Sequence, residues 1–395
     1  MRWNLLFCAP LLLTISAASD AQTNGQVALA ADAENRWVAF DLTPGNQIRF
    51  DMMVDGSRAS AILDTGVSAS VASRLFASRA GLKLEPSRGE RADAVGGAVP
   101  LGWTRVERVT MGAFTQPNAR LAIVDLSAIA TGSAQPVDLL IGSDMLSCCA
   151  IDIDYENRRF RMLASGRVPF TGARASLSRL PGTGVFTSAV AVGRSRFRPL
   201  IVDTGDGAAL TLSRSAWASA RIRPRTVTTA IAFGLGGPVE TEMAILPDVR
   251  LGTLPPAPVE TRIEAKGGFS DQTRTAGRIG NGLFQRYRVL MDARAGHMIL
   301  KPGADAAKPP VRSTSGLLVG YDNGRLAVLH VMRGSPAAQA GWNARDQICT
   351  VDGNPVPMPD GGSVDTGWSA GAPGRVVRFG MCDGTERRLT LRQFY

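Results

Sequence analysis

The sequence contains almost no histidine. Only His297 and His330 occur in 395 residues, and neither lies in a His-Glu-x-x-His or Cys/His pattern. Histidine-based triads and histidine-rich metal sites therefore lack the residues they need. We expect neither a metal nor a cofactor, and any chemistry has to use carboxylates, hydroxyls or thiols.

Lysine and aromatic residues are also scarce. Lysine occurs four times, aromatic residues make up 6% of the chain, and the formal net charge of +10 comes almost entirely from arginine. These arginines alternate with acidic residues, whereas a nucleic-acid-binding face combines clustered basic residues with aromatics. We therefore expect a solvated basic surface and no nucleic-acid partner.

No apolar run reaches the roughly 20 residues of a comfortable membrane span. The run at residues 5–15 follows Met1-Arg2 and precedes four small residues, which is the layout of a secretory signal peptide. We expect a signal peptide over residues 1–21, with cleavage after Ala18 or Ala21. The mature chain is then periplasmic or secreted.

Four cysteines follow this segment, an even number that suits disulfides in an oxidising compartment. Cys349 and Cys382 lie in two strand-like runs and form our preferred pair. The adjacent Cys148 and Cys149 cannot easily bridge each other without strain, so we expect buried small side chains there. A redox or metal role for these two would need companion ligands, and none lies at useful spacing.

The composition, with 45% hydrophobic and 20% charged residues over this length, predicts two or three packed domains. Short alternating runs such as 47–54 and 289–300 are bounded by Gly, Pro, Asn and Asp, and long helical patterns are few. The sequence therefore predicts an all-β fold. Residues 162–184, rich in Pro, Gly and Ser, are expected to form a joint.

The chain contains an internal repeat with an offset of 138 to 140 residues. Residues 61–66, Ala-Ile-Leu-Asp-Thr-Gly, return at 200–205 as Leu-Ile-Val-Asp-Thr-Gly. Val-Gly-Gly at 95–97 returns as Leu-Gly-Gly at 235–237, and Leu-Ile-Gly at 140–142 returns as Arg-Ile-Gly at 278–280. One order of landmarks at nearly one offset indicates two copies of one module.

Each copy carries an aspartate where an apolar strand ends and turns on a glycine. Two-fold related copies would place Asp64 and Asp203 face to face, within hydrogen-bond distance of one water. Carboxylates this close share one proton, so the ionised member acts as base and the protonated member as acid. The hydroxyls of Thr65 and Thr204 can tie each loop to the backbone of its neighbour. Such a dyad activates water against a peptide carbonyl without an acyl-enzyme intermediate.

These motifs resemble the pepsin/retropepsin-like aspartic peptidases, which carry apolar-apolar-Asp-Thr/Ser-Gly and a later apolar-apolar-Gly in each lobe. The resemblance covers about residues 40 to 302. It implies two retropepsin-like lobes, 40–165 and 180–302, that form a pseudo-dimer within a monomer. The implied activity is that of an aspartic endopeptidase acting on peptides or proteins.

The resemblance also implies roles for individual residues. The catalytic pair would be Asp64 and Asp203. The residues supporting this dyad would be Thr65, Gly66, Ser68, Thr204 and Gly205, and the tips of two flap hairpins over the substrate would be Gly96, Gly97, Gly236 and Gly237.

The second copy departs from the family pattern. Asp206-Gly207 follows its motif where the first copy keeps a hydroxyl at Ser68, and Arg278 replaces an apolar residue. We expect Asp206 to disfavour ionisation of the dyad if its charge faces the site, and Arg278 to oppose this if it reaches inward. The alternative function is a non-catalytic peptide-binding scaffold with a degenerate second lobe.

A third Asp-Thr-Gly at 365–367 serves as a control. It follows glycines and Ser363-Val364 instead of an apolar strand, and no partner motif lies at the lobe spacing. We interpret it as a coincidence.

From Ser315 onwards the order of elements changes: strand, a helix starting at Ser335-Pro336, strand, and a turn at Asp352-Gly353. This order resembles a bacterial PDZ domain and implies a linker at 303–315 and a PDZ domain at 316–395. Such a domain binds a C-terminal peptide as an added strand. The carboxylate loop would consist of Gly316, Leu317, Leu318 and Val319.

The sequence gives two interpretations of the groove of this module. Residues 359–371, where a groove helix should lie, contain several glycines and are a poor helix-forming segment. A packing or docking domain without a free groove is therefore the alternative.

Overall fold

The computed structural model describes residues 27–86, 89–127, 129, 131, 135–220, 222, 224, 226–322, 324–356 and 367–395. Within these residues the fold is mostly β, as the sequence predicts. The expected signal peptide at 1–21 and Asp365-Thr366 of the third motif lie outside the described residues. In the described part of the chain, no helix is long and apolar enough to cross a membrane.

The described residues of 27–163, here called the first half, form thirteen strands and two short α-helices. These elements are β1 (Ala28–Leu29), β2 (Val38–Ala39), β3 (Asp41–Leu42), β4 (Ile48–Val54), β5 (Ser57–Leu63), β6 (Val71–Ser73), α1 (Arg74–Arg79), β7 (Arg91–Ala92), β8 (Val99–Pro100), β9 (Gly102–Met111), β10 (Phe114–Val124), β11 (Leu139–Ile141), α2 (Ser143–Leu146), β12 (Ala150–Asp154) and β13 (Arg159–Leu163). A 3₁₀ turn covers Ala33–Asn35.

Residues 173–302, the second half, add eleven strands and three helices. They are β14 (Ala173–Ser176), β15 (Ser178–Arg179), β16 (Phe186–Val192), β17 (Ser195–Asp203), β18 (Leu210–Leu212), α3 (Arg214–Ser219), β19 (Thr228–Gly234), β20 (Gly237–Leu251), β21 (Ala257–Ile263), α4 (Phe269–Gln272), β22 (Gly277–Gly280), α5 (Asn281–Phe284), β23 (Tyr287–Asp292) and β24 (His297–Pro302).

The remaining described residues form six strands, one α-helix and a 3₁₀ turn at Gly367–Ala370. The strands and the helix are β25 (Leu317–Asp322), β26 (Arg325–Val331), α6 (Pro336–Gln339), β27 (Gln347–Val351), β28 (Asn354–Pro355), β29 (Val376–Met381) and β30 (Glu386–Thr390).

The first half builds an eight-stranded sheet in the order β1-β10-β6-β11-β5-β4-β3, with β9 pairing to β10 and β4. Alternate residues of β4, beginning with Ile48 and Phe50, are buried in the core, as the two-residue period of a strand requires. At the centre of the sheet β11 runs parallel to β5, with Ile141 opposite Leu63. β5, which leads directly into Asp64, is therefore paired on both edges, by β11 and by β4.

The second half repeats these central pairings in an eight-stranded sheet ordered β15-β16-β17-β22-β18-β21-β20-β19. The parallel pair β17–β22 corresponds to β5–β11, and β18–β21 corresponds to β6–β10. The helices repeat as well, because Ser73 and Ser213 each cap the following helix through a hydroxyl that accepts a backbone N–H. The sequence repeat thus has a structural counterpart.

A six-stranded sheet joins the halves, in the order β14-β24-β23-β12-β13-β2. The antiparallel pair β12–β23 at its centre places Ile151 opposite Met291. The segment 162–184, expected as a joint between the copies, contains β14, which pairs in this shared sheet, and β15. β14 forms because Ala175 is buried against the core while its neighbours face outward, so the segment can pair with β24.

The last module forms its own sheet, β25-β26-β27-β29-β30, with β28 beside β27. Its core contains Trp342 and Trp368, which pack edge-on against Phe379. This module contacts the second half along β19 to β21. The Thr228 hydroxyl donates to the carbonyl of Arg333 at 2.8 Å, and the Tyr395 hydroxyl donates to a Glu260 carboxylate oxygen at 3.0 Å.

The four cysteines in the described part of the chain form two disulfides. Cys349 of β27 is joined to Cys382, which follows β29. Cys148 is joined to Cys149, which corrects the expectation of two free side chains. These two residues occupy the tight turn between α2 and β12, where the chain direction changes and adjacent side chains can converge.

We predict that the Cys349→Ser/Cys382→Ser double variant lowers the free energy of unfolding of the C-terminal module by about 2 to 4 kcal/mol. The bridge spans 33 residues and restricts the unfolded chain over that loop. Cys148→Ser/Cys149→Ser is the matched control, since it closes no loop and should cost much less. Urea denaturation followed by tryptophan fluorescence measures both, and equal losses would contradict the loop-closure account.

Candidate active site

Two strand ends bring the predicted aspartates together. Asp64 follows β5, and its backbone N–H donates to the Ile141 carbonyl of β11 at 2.9 Å. Asp203 ends β17 and lies beside Gly280 of β22 in the same parallel register. Asp64 is 9% exposed and the Asp203 side chain 14%, so both carboxyl groups are largely withdrawn from solvent.

Two buried threonines link the loops that carry these aspartates. The Thr65 hydroxyl donates to the Val202 carbonyl and the Thr204 hydroxyl donates to the Leu63 carbonyl, both at 2.6 Å. Each hydroxyl also accepts the backbone N–H of the other threonine at 3.1 Å. Both threonines are fully buried, so the four bonds satisfy polar groups that would otherwise be left unpaired.

The glycine of each loop lies against the carboxyl group of the other. A Cβ atom on Gly66 would overlap the Asp203 carboxylate, and one on Gly205 would overlap the Asp64 carboxylate. The backbone N–H of Gly66 donates to Asp64 Oδ1, and that of Gly205 donates to Asp203 Oδ1, both at 3.0 Å. Only glycine permits this approach, and it brings the two acids into direct interaction.

Burial and mutual repulsion raise the pKa of both acids. The pKa of Asp64 lies well above its usual value because of burial, then because of the charge of Asp203. Burial and the charge of Asp206 raise the pKa of Asp203 to about 6, against the opposing charge of Arg278. The pair can therefore hold one proton in the weakly acidic range.

Both second-copy departures face the site. Arg278 is buried, and its Nε lies 3.1 Å from Asp206 Oδ2 and 3.6 Å from Asp203 Oδ2. Burial acts to raise the pKa of Asp206, but the charges of Arg278 and Arg262 hold that pKa below its usual value. Asp206 therefore opposes ionisation of Asp203, as expected, and Arg278 reaches inward and favours it.

Ser68 does not occupy the place expected of it. It is exposed, and among the described residues no hydrogen bond joins its hydroxyl to Asp64. The neighbouring Ser70 is buried instead, donating to Asp144 Oδ1 at 2.7 Å and accepting the Gly142 N–H at 3.0 Å. Ser70 thus braces the turn beneath the first loop, and nothing in the sequence distinguishes it from Ser68.

The predicted flap glycines lie at two hairpin tips that touch. Gly96 and Gly97 connect β7 to β8, while Gly236 and Gly237 close the β19–β20 hairpin. The Gly236 N–H donates to the Val95 carbonyl at 2.9 Å. A Cβ atom on Gly96 or Gly236 would overlap the backbone of the opposite tip, so these glycines permit the contact.

Sequence reasoning missed Asn46 as a link between the halves. The Asn46 side-chain N–H donates to the Gly207 carbonyl at 3.1 Å. The backbone carbonyl of Asn46 accepts a hydrogen bond from the Asn281 side chain. Asn46 thereby holds a first-half turn against the loop that follows Asp206. Its position before Gln47 in a polar turn resembles an ordinary turn residue, so the sequence carried no signal for this role.

The predicted carboxylate loop of the C-terminal module lies at the start of its edge strand, β25. The Gly316 N–H donates to the Ser313 hydroxyl at 2.9 Å, and the Leu317 N–H donates to the Ser315 hydroxyl at 3.1 Å. Leu318 is exposed and Val319 half-buried. A carboxylate binding at the first two amides would have to displace these hydroxyls.

No group of three or more His, Cys, Asp or Glu side chains suited to a metal ion occurs among the residues that the structure describes. The groups that the site offers for chemistry are two carboxyl groups, one buried arginine and the backbone amides around them.

Residues 50–145 match a protein family described as aspartyl protease. The match covers about a quarter of the chain and includes Asp64, so the first half contains an aspartyl protease-like domain. A comparison with curated proteins finds no match.

We predict that Asp64→Asn raises the free energy of unfolding at pH 7 by on the order of 2 kcal/mol. The folded dyad has raised pKa values and retains protons that the unfolded chain releases near pH 4. The protonated dyad makes its full contribution to the free energy of unfolding below about pH 4. That contribution is lost as pH rises through the pKa values of the dyad in the folded state. Near pH 3.5 the gain should therefore vanish.

Asp292→Asn is the matched control with the opposite sign. Burial acts to raise the pKa of Asp292, but hydrogen bonds from Gly166, Ala295 and Ser165 outweigh burial and lower it. That variant should lose stability at pH 7, and lose less as pH falls. Urea titrations at both pH values measure the free energy of unfolding of each variant. A lower free energy of unfolding for Asp64→Asn than for the wild type at pH 7 would contradict the shared-proton account.

Proposed function

We propose that this protein is an exported aspartic endopeptidase in which Asp64 and Asp203 form the catalytic dyad. The two halves act as retropepsin-like lobes of an internal pseudo-dimer, residues 40–165 and 180–302. The contact that carries the proposal is the mutual packing of each Asp-Thr-Gly glycine on the other loop's carboxyl group. The aspartyl protease match at residues 50–145 supports it.

The dyad performs hydrolysis by moving protons between water and a peptide bond. The ionised carboxylate takes a proton from a water held between the two acids, while the water oxygen bonds to the carbonyl carbon. The protonated acid gives its proton to the carbonyl oxygen, which yields a neutral gem-diol. The acid that took the proton from water then gives it to the nitrogen, while the other carboxylate takes a proton from one gem-diol hydroxyl. The C–N bond breaks, giving a carboxylic acid, an amine and a dyad that again holds one proton.

The touching hairpins are proposed as flaps that cover the substrate. Their tips meet through the hydrogen bond between the Gly236 N–H and the Val95 carbonyl. Leu235 and Val67 both pack against an apolar cluster that includes Val99. Val67 follows the Asp64 loop directly. A peptide reaching the dyad therefore has to pass or part the tips, and the glycines at 96, 97, 236 and 237 allow the backbone to do so.

Residues 316–395 are proposed as a PDZ domain that docks a substrate or partner. Support comes from β25, which lies at the edge of its sheet and can accept an added strand, with Leu318 exposed beside it. The signal-like segment at residues 1–21 supports export, and the disulfide between Cys349 and Cys382 suits an oxidising compartment.

A non-catalytic peptide-binding scaffold is the second candidate, and one contact favours it. The ion pair between Arg278 and Asp203 partly neutralises the charge that hydrolysis requires. A scaffold would bind unstructured peptides and leave them intact, so an activity assay separates the two functions.

We predict that Asp64→Asn and Asp203→Asn each abolish hydrolysis of casein, with a loss of at least about a hundredfold, because each removes one half of the acid–base pair. Asp365→Asn is the control within the third Asp-Thr-Gly and should retain wild-type activity. Peptide release from purified variants at acid to neutral pH measures this. Full activity in either dyad variant refutes the mechanism, and no hydrolysis by the wild type favours the scaffold.

We also predict that neither a chelator nor a thiol alkylator changes the rate, because the dyad supplies both acid and base and the four cysteines beyond the leader are joined in disulfides. A transition-state mimic with a central hydroxyl, such as pepstatin, should inhibit by placing that hydroxyl between the carboxyl groups. Strong inhibition by the chelator would point to a metallohydrolase instead.

A further inference from the structure

Corresponding positions in the two halves differ sharply in charge. Leu140 of β11 pairs with Ile62, and Arg278 of β22 pairs with Ile201 in the same parallel arrangement. Leu140 belongs to an apolar cluster against which Val67 packs. The second half therefore places a buried cation where the first half has an apolar side chain.

The guanidinium of Arg278 is fixed by groups outside the dyad. Its Nη1 donates to Glu264 Oε1 at 2.7 Å, and its Cζ lies over the Phe269 ring, 5.4 Å from the ring centroid. Glu264 is itself held by the Ser270 backbone N–H at 2.9 Å. The cation therefore keeps its position beside Asp203 whichever way the dyad is protonated.

The two catalytic acids differ in the number of hydrogen-bond donors and in the charges that face them. Asp203 Oδ1 accepts two backbone N–H groups, from Gly205 and Asp206, and its Oδ2 lies 3.6 Å from the Arg278 Nε. Asp64 accepts one backbone N–H, from Gly66, and the charges acting on it are those of Asp203 and Asp206. Both differences favour negative charge on Asp203.

The charges around this cluster do not reverse that preference. Asp206 repels a charge on Asp203 more strongly than Arg278 attracts it, and its charge also acts on Asp64. The Asp206 Oδ2 is itself paired with the Arg278 Nε, and the charge of Arg262 also acts on Asp206. Glu264 is paired at the opposite side of the guanidinium. The charges of Asp206, Glu264 and Asp203 outweigh the effect of burial and raise the pKa of Arg278, so the cation is permanent.

We propose that Arg278 is a positioning residue that assigns the single proton of the dyad to Asp64 and the negative charge to Asp203. Resting on the proposed function, this assignment fixes the chemical roles: Asp203 takes the proton from water, and Asp64 gives its proton to the carbonyl oxygen. The two acids of a nearly symmetric scaffold thus acquire fixed and different tasks.

Carboxyl ¹³C NMR of the full-length protein labelled at aspartate tests the assignment without any activity. The Asp64→Asn and Asp203→Asn variants identify the two signals. In the wild type, Asp203 should ionise at lower pH than Asp64. In Arg278→Gln the Asp203 transition should move upward by about one to three pH units. Ionisation of Asp64 first in the wild type, or no shift in the variant, overturns the proposal.

Loss of Arg278 leaves Asp206 and Glu264 buried without their partner, so the single variant can fail to fold. Arg278→Gln/Glu264→Gln removes one charge of each sign and should still raise the Asp203 transition. Arg278→Lys keeps the charge and should hold the transition closer to that of the wild type. Arg161→Gln removes one of the two arginines paired with the buried Asp152 in the shared sheet, and serves as the control for losing a partly buried arginine that should leave the dyad unshifted.

The pH dependence of kcat/KM on casein supplies a second readout. Arg278→Gln should shift the acid limb upward and regain activity toward neutral pH, whereas a purely structural role would lower the rate at every pH without moving the limb. An absence of hydrolysis together with the predicted NMR order refutes the proposed function and leaves the proton assignment standing. Hydrolysis with an unmoved limb refutes the assignment alone.

Discussion

Two threonine hydroxyls, each buried in the loop of the opposite half, hold the candidate site together. Thr65 and Thr204 complete the hydrogen bonding of the strand ends that carry the two acids. Without the hydroxyl of the opposite threonine, each loop would have an unpaired buried amide and carbonyl. The closeness of the carboxyl groups, their raised pKa values and the need for glycine at 66 and 205 all follow from this crossed contact.

The backbone around the dyad is nearly two-fold symmetric, but the side chains are not. The loop in the first half continues into Val67 and an apolar cluster, whereas the loop in the second half continues into Asp206 and the Arg278 ion pairs. Symmetry of the fold brings two identical acids together, and asymmetry of the buried charges makes them different. A buried arginine is costly unless it is paired, and here three carboxylates surround it.

Much of this arrangement could be predicted because it repeats along the chain. The offset between the Asp-Thr-Gly segments led to Asp64, Asp203 and the touching glycine tips, and alternation led to the all-β fold. The direction in which Arg278 points depends on Glu264, which carries no motif. The pairing of Cys148 with Cys149 depends on a local turn, and the roles of Ser70 and Asn46 depend on contacts made only after folding.

The sheet shared by the halves constrains which pieces of the protein can exist alone. β12 is entirely buried and is covered on one edge by β13, but its other edge is paired by β23, which begins at Tyr287. A fragment that ends before Tyr287 leaves open the N–H and C=O groups of β12 that pair with β23 in the whole chain. Exposed edges of this kind pair with other chains. The first half therefore depends on β23 of the second half to close this edge of its sheet.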